Sequence, residues 1–404
     1  MERLYWNNDW KFAETWEEAM KEAVYPENEM EDVRLPHTCK ELPYHYFDEH
    51  AYQMLCGYRR HFMAPEAWQG KSVELTFEGV AHDAVVYVNG TEVKAHHCGY
   101  TAFFVEIAKY LKYGEDNVLA VRVDSRENLN IPPFGYAIDY MTFGGIYREV
   151  YVQVRNKTHL ADVFIKPQIH PLQVTTEITV QNISDGITLQ QEIRKKGEGA
   201  YSPLGQKPVQ QTNMQTVFPV QEIRLWEPEN PHLYEIRTSL WKNGEMIDAR
   251  VDITGFREAG FRKDGFYLNG KKLRLRGLNR HQSYPYVGYA APASMQIFDA
   301  DILKRELGVN AVRTSHYPQS QDFIRRCDEI GLLVFTEFPG WQHIGDEEWK
   351  RQAVQNLKEM IVQYRNHPSI ILWGVRINES QDDDVFYRET NRVAHELDDT
   401  RATG

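Results

Sequence analysis

The residues with the most chemical promise stand at four places in the last third of the chain. Residues 366–379 read Asn-His-Pro-Ser-Ile-Ile-Leu-Trp-Gly-Val-Arg-Ile-Asn-Glu, an apolar run that opens after Pro368 and closes on the polar pair Asn378-Glu379. A carboxyl group just beyond a strand buried on both faces is well placed to give and take a proton at the rim of a parallel barrel. Three further polar groups follow apolar runs in the same way: Asn279-Arg280-His281, Arg313 with Ser315-His316-Tyr317, and Glu337. Each has a plainer reading. Asn378 or Ser380 could cap the next helix, with Glu379 favoured near its N-terminal dipole. His281 could be a satisfied structural histidine, and Glu337 a buried carboxylate paired with an arginine. Four polar strand ends in succession are hard to credit to capping, and they favour a catalytic rim.

The elements that must position these groups alternate strand and helix from residue 257 onward, the pattern of a parallel sheet. A hairpin around Asn269-Gly270 leads into a strand at 273–278, and 299–307 reads as a helix stopped by Gly308. A strand at 310–314 follows, then a helix with Phe323, Ile324, Cys327 and Ile330 on one face, ended by Gly331. The third strand is expected at 332–335. Trp349, Ala353, Leu357, Ile361 and Tyr364 then form the apolar stripe of a third helix. The fourth strand is 370–375 and the fourth helix 384–397, which makes four of the eight units of a (β/α)8 barrel, a TIM barrel.

The residues ahead of this region read as β structure. Residues 1–157 carry many short strands, with a two-residue hairpin signal at Asn89-Gly90, and suggest a jelly-roll sandwich. Residues 130–145, rich in Gly, Pro and aromatic residues, are expected to form a long ordered loop. Residues 158–256 suit an immunoglobulin-like sandwich acting as a spacer, with an exposed loop at 197–215. The third domain takes 257–404.

Composition excludes several classes. The chain has 404 residues, 42% hydrophobic and 12% aromatic, enough for two or three domains with proper cores. Its 46 basic and 58 acidic residues leave a formal charge of −12, and no basic cluster stands out, which argues against nucleic acid. Nine Trp and 23 Tyr permit stacking on sugar rings. Four widely spaced cysteines argue for reduced thiols rather than zinc clusters or a disulfide framework. No signal peptide or membrane-length apolar run is apparent, so a cytoplasmic location is expected. No Gly-x-Gly-x-x-Gly follows a strand, which argues against a dinucleotide-dependent oxidoreductase.

Residues 310–318, Asn-Ala-Val-Arg-Thr-Ser-His-Tyr-Pro, with 327–334, Cys-Asp-Glu-Ile-Gly-Leu-Leu-Val, resemble the first signature of glycoside hydrolase family 2. Arg365-Asn366-His367-Pro368-Ser369 through Trp373-Gly374 to Asn378-Glu379 is similar to its second, the acid/base segment. Segments 225–234 and 266–281 are also similar to family segments. The resemblance implies a jelly roll, an immunoglobulin-like domain and a barrel in that order, and an exo-acting retaining β-glycosidase most like a β-galactosidase. It implies that Glu379 is the general acid/base, that Asn378 holds the sugar hydroxyl beside the reacting carbon, and that Arg313 supports the nucleophile. His316 and His281 would contact the substrate, an oligosaccharide or glycoconjugate, and Asp139 would reach the sugar site from the first domain. Glu379 must then start protonated, which burial beside Trp373 or a neighbouring carboxylate would favour.

Three departures from the family pattern carry expectations. Three residues, Val375-Arg376-Ile377, separate Trp-Gly from Asn-Glu where many members have two, so an irregular strand end is expected at 375–378. Aligned to a β-galactosidase magnesium site, the chain keeps His343 but places Trp341 where a carboxylate ligand would stand, so no metal and no organic cofactor are expected. The family's nucleophile, a glutamate near the end of the seventh barrel strand, has no counterpart in four units. A half-barrel would leave the edge of its fourth strand unpaired, favouring association, including a homo-oligomer. The alternative function is a non-catalytic carbohydrate-binding or assembly protein of the same architecture.

Overall fold

The computed structural model describes residues 3–404 except 44, 46, 47 and 136. The first unit is a jelly-roll sandwich. Its four-stranded sheet runs Leu4–Tyr5, Val150–Arg155, Ser72–Phe77, Phe103–Glu106, and its six-stranded sheet runs Glu31–Val33, Trp10–Ala13, Leu55–Met63, Asp116–Asp124, Asp83–Val88, Thr91–His96. Alternation puts Val73, Leu75 and Phe77 of one sheet and Leu119, Val121 and Val123 of the other into a single core. That core does not stop at the domain edge. Tyr289 and Tyr317, from the third unit, belong to it, and Tyr317 stacks on Tyr100 at 4.4 Å between ring centroids.

The second unit is an immunoglobulin-like sandwich of three strands (His159–Ile169, Leu172–Gln181, Asn213–Pro219) against four (Ser202–Pro208, Ile187–Lys195, Tyr234–Lys242, Glu245–Thr254). Much of the stretch expected as an exposed loop at 197–215 is therefore strand. Ser202–Pro208 is an edge strand whose residues are mostly exposed, and Gly, Gln, Lys and Pro interrupt its apolar alternation. An edge strand with one solvated face needs little apolar patterning, which is why it reads as loop.

The third unit carries a parallel sheet. We label its strands β1 (Gly277–Asn279), β2 (Ala311–Thr314), β3 (Leu333–Glu337), β4 (Ile370–Gly374) and β5 (Ala402–Thr403), paired in that order. Its helices are α1 (Ala293–Asp301), α2 (Gln321–Ile330), α3 (Glu347–Tyr364) and α4 (Asp384–Leu397). β4 thus does not end in a bare edge: β5 pairs with it in parallel at Leu372–Ala402 and Trp373–Thr403. The first expected helix begins earlier, at Ala293, and changes to a π-helical turn over Ile302–Glu306 before Gly308. α2 ends as expected on Gly331, whose φ of 70° gives the left-handed cap that glycine favours. α3 buries all five stripe residues, and α4 is capped by Asp383 rather than by Asn378 or Ser380.

Side chains alternate across the sheet. Val312, Val334, Ile370 and Trp373 pack outward against the helices, whereas Leu333 and Ile371 pack inward on Trp226, Phe266 and Leu268. The spacing Ile370, Trp373 is one residue too long for strict alternation. A bulge absorbs it, since β3 and β4 pair at Val334–Ile370 and then at Phe335–Leu372.

The units are pinned together by buried polar contacts. Asn366 accepts from Ile165 N at 2.9 Å and donates to Val163 O at 2.8 Å, fixing the second sandwich to the foot of β4. The Arg148 guanidinium, fully inside, donates to Gln282 Oε1 at 3.0 Å and Pro318 O at 3.1 Å, tying the first sandwich to the loops after β1 and β2. Trp349 of α3 donates to Phe134 O at 3.0 Å and so holds the 130–145 loop against the barrel. Among the described residues no helix is long and apolar enough to cross a membrane.

Candidate active site at the strand ends

β2, β3 and β4 deliver their last inward residues to one rim, and register decides which groups meet there. Arg313 stands opposite Phe335 in the β2–β3 ladder, so Glu337, two residues on, lies diagonally across on the same face. Glu337 in turn stands opposite Gly374 of β4. A Cβ on Gly374 would lie 2.3 Å from Glu337 Cβ, so glycine makes the room that the glutamate side chain fills.

Glu337, 2% exposed, is the hub of the site. Arg313 donates to it twice, Nε to Oε2 at 2.9 Å and Nη2 to Oε1 at 3.0 Å. His316 Nδ1 lies 2.7 Å from Oε1. Arg313 Nη2 also donates to Asn378 Oδ1 at 2.9 Å, which brings β4 into the network. The arginine-paired reading of Glu337 is therefore the observed arrangement, with a histidine added.

Aromatic rings wall the groove beside this network. His316 is flanked by Trp341 at 4.9 Å and His281 at 5.7 Å, and Tyr140 lies 5.1 Å from His281 and 6.1 Å from His316. His281 Nδ1 is 3.1 Å from the Tyr317 hydroxyl. Burial, and after it the neighbouring His316, holds His281 below the ordinary imidazole range. Burial likewise pushes the Tyr140 phenol well up, and among the described residues its buried oxygen has no hydrogen-bond partner. Asp139, next to Tyr140, is exposed and close enough to act electrostatically on both His281 and Tyr140. The loop from the first sandwich thus reaches the rim of the barrel.

The end of β4 is irregular, as the extra residue led one to expect. Pairing with β3 stops at Gly374, and 375–377 run outside the ladder before Asn378 forms a parallel bridge with Trp341. Asn378 O accepts from Gln342 N at 2.8 Å, and Gln342 Nε2 donates to Glu379 Oε2 at 3.0 Å. Glu379 has φ of 55°, the left-handed region that costs a non-glycine residue about 1–2 kcal/mol. Its expected burial is not found. Glu379 is exposed, and Trp373, expected beside it, points outward under α4 with its indole donating to Asp398 at 2.9 Å.

All six residues expected at the site therefore lie on or beside this rim. The sequence puts Glu337 on the rim as a polar strand end or an arginine partner without giving it a role, and Trp341 only in place of a metal-ligand carboxylate; Tyr140 and Gln342 carry no sequence signal of membership. Trp341 and Gln342 lie in the loop after β3, whose bridge to Asn378 no local pattern announces. Among the described residues no group of three or more His, Cys, Asp or Glu side chains could hold a metal ion. A cavity of about 350 Å3 lies at the other ends of the strands, lined by Arg257, Asn366, Pro368 and Arg401 among others, away from these groups.

Two β-sandwiches ahead of a barrel whose strand ends gather carboxyl, amide, histidine and aromatic side chains define the frame of a multidomain glycoside hydrolase. Sequence comparison agrees over nearly the whole chain: residues 32–155 match the sugar binding domain of Glycosyl hydrolases family 2, residues 158–257 match Glycosyl hydrolases family 2, and residues 260–403 match the family's TIM barrel domain. The chain belongs to glycoside hydrolase family 2. It is 48% identical to a β-galactosidase of Thermoanaerobacter pseudethanolicus over 99% of its own length and 55% of that protein's. It is 30% identical to a putative β-glucuronidase of Formosa agariphila, over 92% of the chain and 47% of the relative. A crystal structure of Bacteroides uniformis β-glucuronidase superposes on all of the chain and 52% of its own, with TM-score 0.90 and 29% identity. The chain thus spans about half the length of these relatives.

Proposed function

We propose that residues 1–404 supply the acid/base and sugar-gripping half of a retaining exo-β-glycosidase that removes terminal β-linked sugars, galactose first among them, from oligosaccharides or glycoconjugates. The observation that carries this reading is the convergence of Asn378-Glu379, Arg313, His316 and His281 on one rim, with Asp139 reaching it from the first sandwich. Two β-galactosidases, at 48% and 47% identity, stand well above the β-glucuronidases at 27–32% and favour the galactoside, while two other β-galactosidases, at 35% and 28%, fall in or near the glucuronidase range.

In a retaining mechanism one carboxyl protonates the leaving oxygen while a second, about 5–5.5 Å away, attacks the anomeric carbon; the first then deprotonates water to release the sugar. Glu379 takes the first role. Its exposed, left-handed placement leaves the side chain open to a glycosidic oxygen above the rim. Asn378 holds the hydroxyl next to the reacting carbon, His316 and His281 contact further hydroxyls, and Asp139 reaches the sugar's far side. Arg313 screens the attacking carboxylate. Glu337 is not assigned as that nucleophile, because it ends the third barrel strand whereas the family resemblance puts the nucleophile near the end of the seventh. The nucleophile comes from barrel units beyond the four present here, and no metal or organic cofactor takes part in the scheme.

The test uses p-nitrophenyl β-D-galactoside and β-D-glucuronide against two polypeptides: the 404-residue chain, and the same chain continued through the remaining barrel units. The continued chain should prefer the galactoside. Glu379→Gln in it should lower kcat for an alkyl galactoside by about 1,000-fold, the scale of lost general acid catalysis, and much less for the nitrophenyl glycoside of the same sugar. The 404-residue chain should bind without turnover. Turnover by that chain alone would sink the division of the two carboxyls, and sugar binding without turnover by the continued chain would favour a binding or assembly role.

A further inference from the structure

The hub carboxylate suggests more than stability. An arginine guanidinium has donors only, so the Asn378 atom that meets Arg313 Nη2 must be the amide oxygen. The Asn378 amide nitrogen is then the atom left for a ligand, and among the described residues it has no partner. The bridge to Trp341 and the bond from Gln342 N fix the backbone from which this side chain extends, and the bond from Arg313 fixes which end of the amide turns away. A parallel constraint acts on His316. Glu337 Oε1 accepts at 2.7 Å from Nδ1, which a carboxylate can do only if that nitrogen carries the proton. In the neutral ring Nε2 is then an unprotonated acceptor, and among the described residues it too has no partner. Arg313 already compensates the charge of Glu337 through two bonds, so the carboxylate does not require an imidazolium for its own neutralisation.

We propose that Glu337 is a positioning residue that sets the hydrogen-bond polarity of the rim: it holds His316 as the Nδ1–H tautomer and, through Arg313, turns Asn378 to face the groove with its N–H2. The proposal rests on the sugar-binding reading and deepens it by naming what the ligand must offer. A hydroxyl facing Asn378 must accept, and one facing His316 must donate. A sugar hydroxyl can do either, whereas a carboxylate or an ether oxygen can meet Asn378 but not His316. The ligand class is therefore a ring with free, neutral hydroxyls at the His316 position.

The experiment is long-range 1H–15N correlation spectroscopy of the histidine rings at pH 8 in the 404-residue chain, with His316 assigned by its loss in His316→Gln. The expected wild-type spectrum has His316 protonated at Nδ1 and not at Nε2, with a preference of at least about tenfold, the ratio that one charge-assisted hydrogen bond sustains. Glu337→Gln, whose amide can donate as well as accept, should collapse that preference, while a buried residue of purely structural role would leave the tautomer unchanged. An Nε2–H ring in the wild type overturns the proposal without any variant, so misfolding of Glu337→Gln cannot protect it. An unmoved tautomer in a folded Glu337→Gln overturns it as well. Neither reading involves turnover, so a failed hydrolysis assay and a failed tautomer assignment are separate results.

Discussion

Removing Arg313 tests whether the rim is held by one cooperative network or by independent contacts. In Arg313→Ala, Glu337 keeps a 3%-exposed side chain and loses both guanidinium bonds, with His316 its remaining partner; the bond to Asn378 also goes. Breaking a buried ion pair on one side costs about 3–5 kcal/mol. The lower end applies, because the Arg313 side chain is 27% exposed and water can enter where it leaves. Glu337→Gln keeps the shape, forfeits the charge and frees a guanidinium that solvent can reach, for a cost of about 1–2 kcal/mol. Independent contacts would make the double variant lose the sum. A network predicts a double variant milder than the sum by about 2 kcal/mol, since neither charge is then left buried alone. Three domains will not unfold as one transition, so the readout is local: native-state hydrogen exchange in peptides covering 311–317 and 333–342. Additivity within about 0.5 kcal/mol would refute the argument. Arg313→Lys should behave nearly as badly as the alanine variant, because a point-charge ammonium cannot span Glu337 and Asn378 together.

Two further outcomes follow from the fold. Glu78, buried where the first sandwich meets α2, is pushed up to about 7 by burial and then by Glu149; Arg3, 3.4 Å away and 35% exposed in its side chain, offsets this only in part. A folded pKa above the unfolded one means the folded state binds more protons, so this contribution is full below about 4.5 and is lost as pH rises through 7. Glu78→Gln should therefore weaken the pH dependence, stabilising the first unit relative to wild type at pH 8 more than at pH 4.5 by up to about 3 kcal/mol, measured by native-state hydrogen exchange in peptides of the first sandwich at the two pH values. Gly374→Ala places a methyl 2.3 Å from Glu337 Cβ and 2.9 Å from its Cα. It should cost about 2–3 kcal/mol and speed exchange at 333–338, while peptides from the second sandwich exchange at the wild-type rate.

Much of this arrangement could be read from the chain because local signals agreed with tertiary ones. Asn269-Gly270 makes its hairpin with both residues at positive φ, Gly331 closes α2, and the α3 stripe is buried throughout. The 202–208 strand escaped because its pairing, not its pattern, makes it a strand. The centrality of Glu337 escaped for a related reason. That a carboxylate at a strand end is buried and triply bonded depends on the β2–β3 register, on a glycine in the next strand, and on a histidine beyond β2. None of these is adjacent in sequence. The expected companion of Glu379 failed because the bulge at Ile371 and Leu372 fixes the outward face of Trp373, and a count of residues from Trp373 to Glu379 does not see the bulge.

Glu379 and its partner Gln342 both stand at positive φ, 55° and 53°, so local preference and tertiary structure disagree at both, and the neighbouring contacts explain how Glu379 is held. A strand that ended freely at Gly374 would let 375–379 relax. Instead, Ile377 packs so closely on Gly340 that a Cβ there would lie 2.1 Å from Ile377 Cδ1, Ile377 N meets the Tyr387 hydroxyl at 3.3 Å, and Asn378 bridges Trp341. The segment after β4 is therefore mounted on the loop after β3 as much as on its own strand. Glu337 ends β3 and fixes Arg313, which grips Asn378, so Glu379 and the residues proposed to hold the sugar share one support. A strain of about 1–2 kcal/mol can persist there because several independent contacts over-determine the backbone. On the proposed mechanism this is what a general acid requires: a carboxyl aimed by its surroundings, whose direction does not follow the small motions of a strand end.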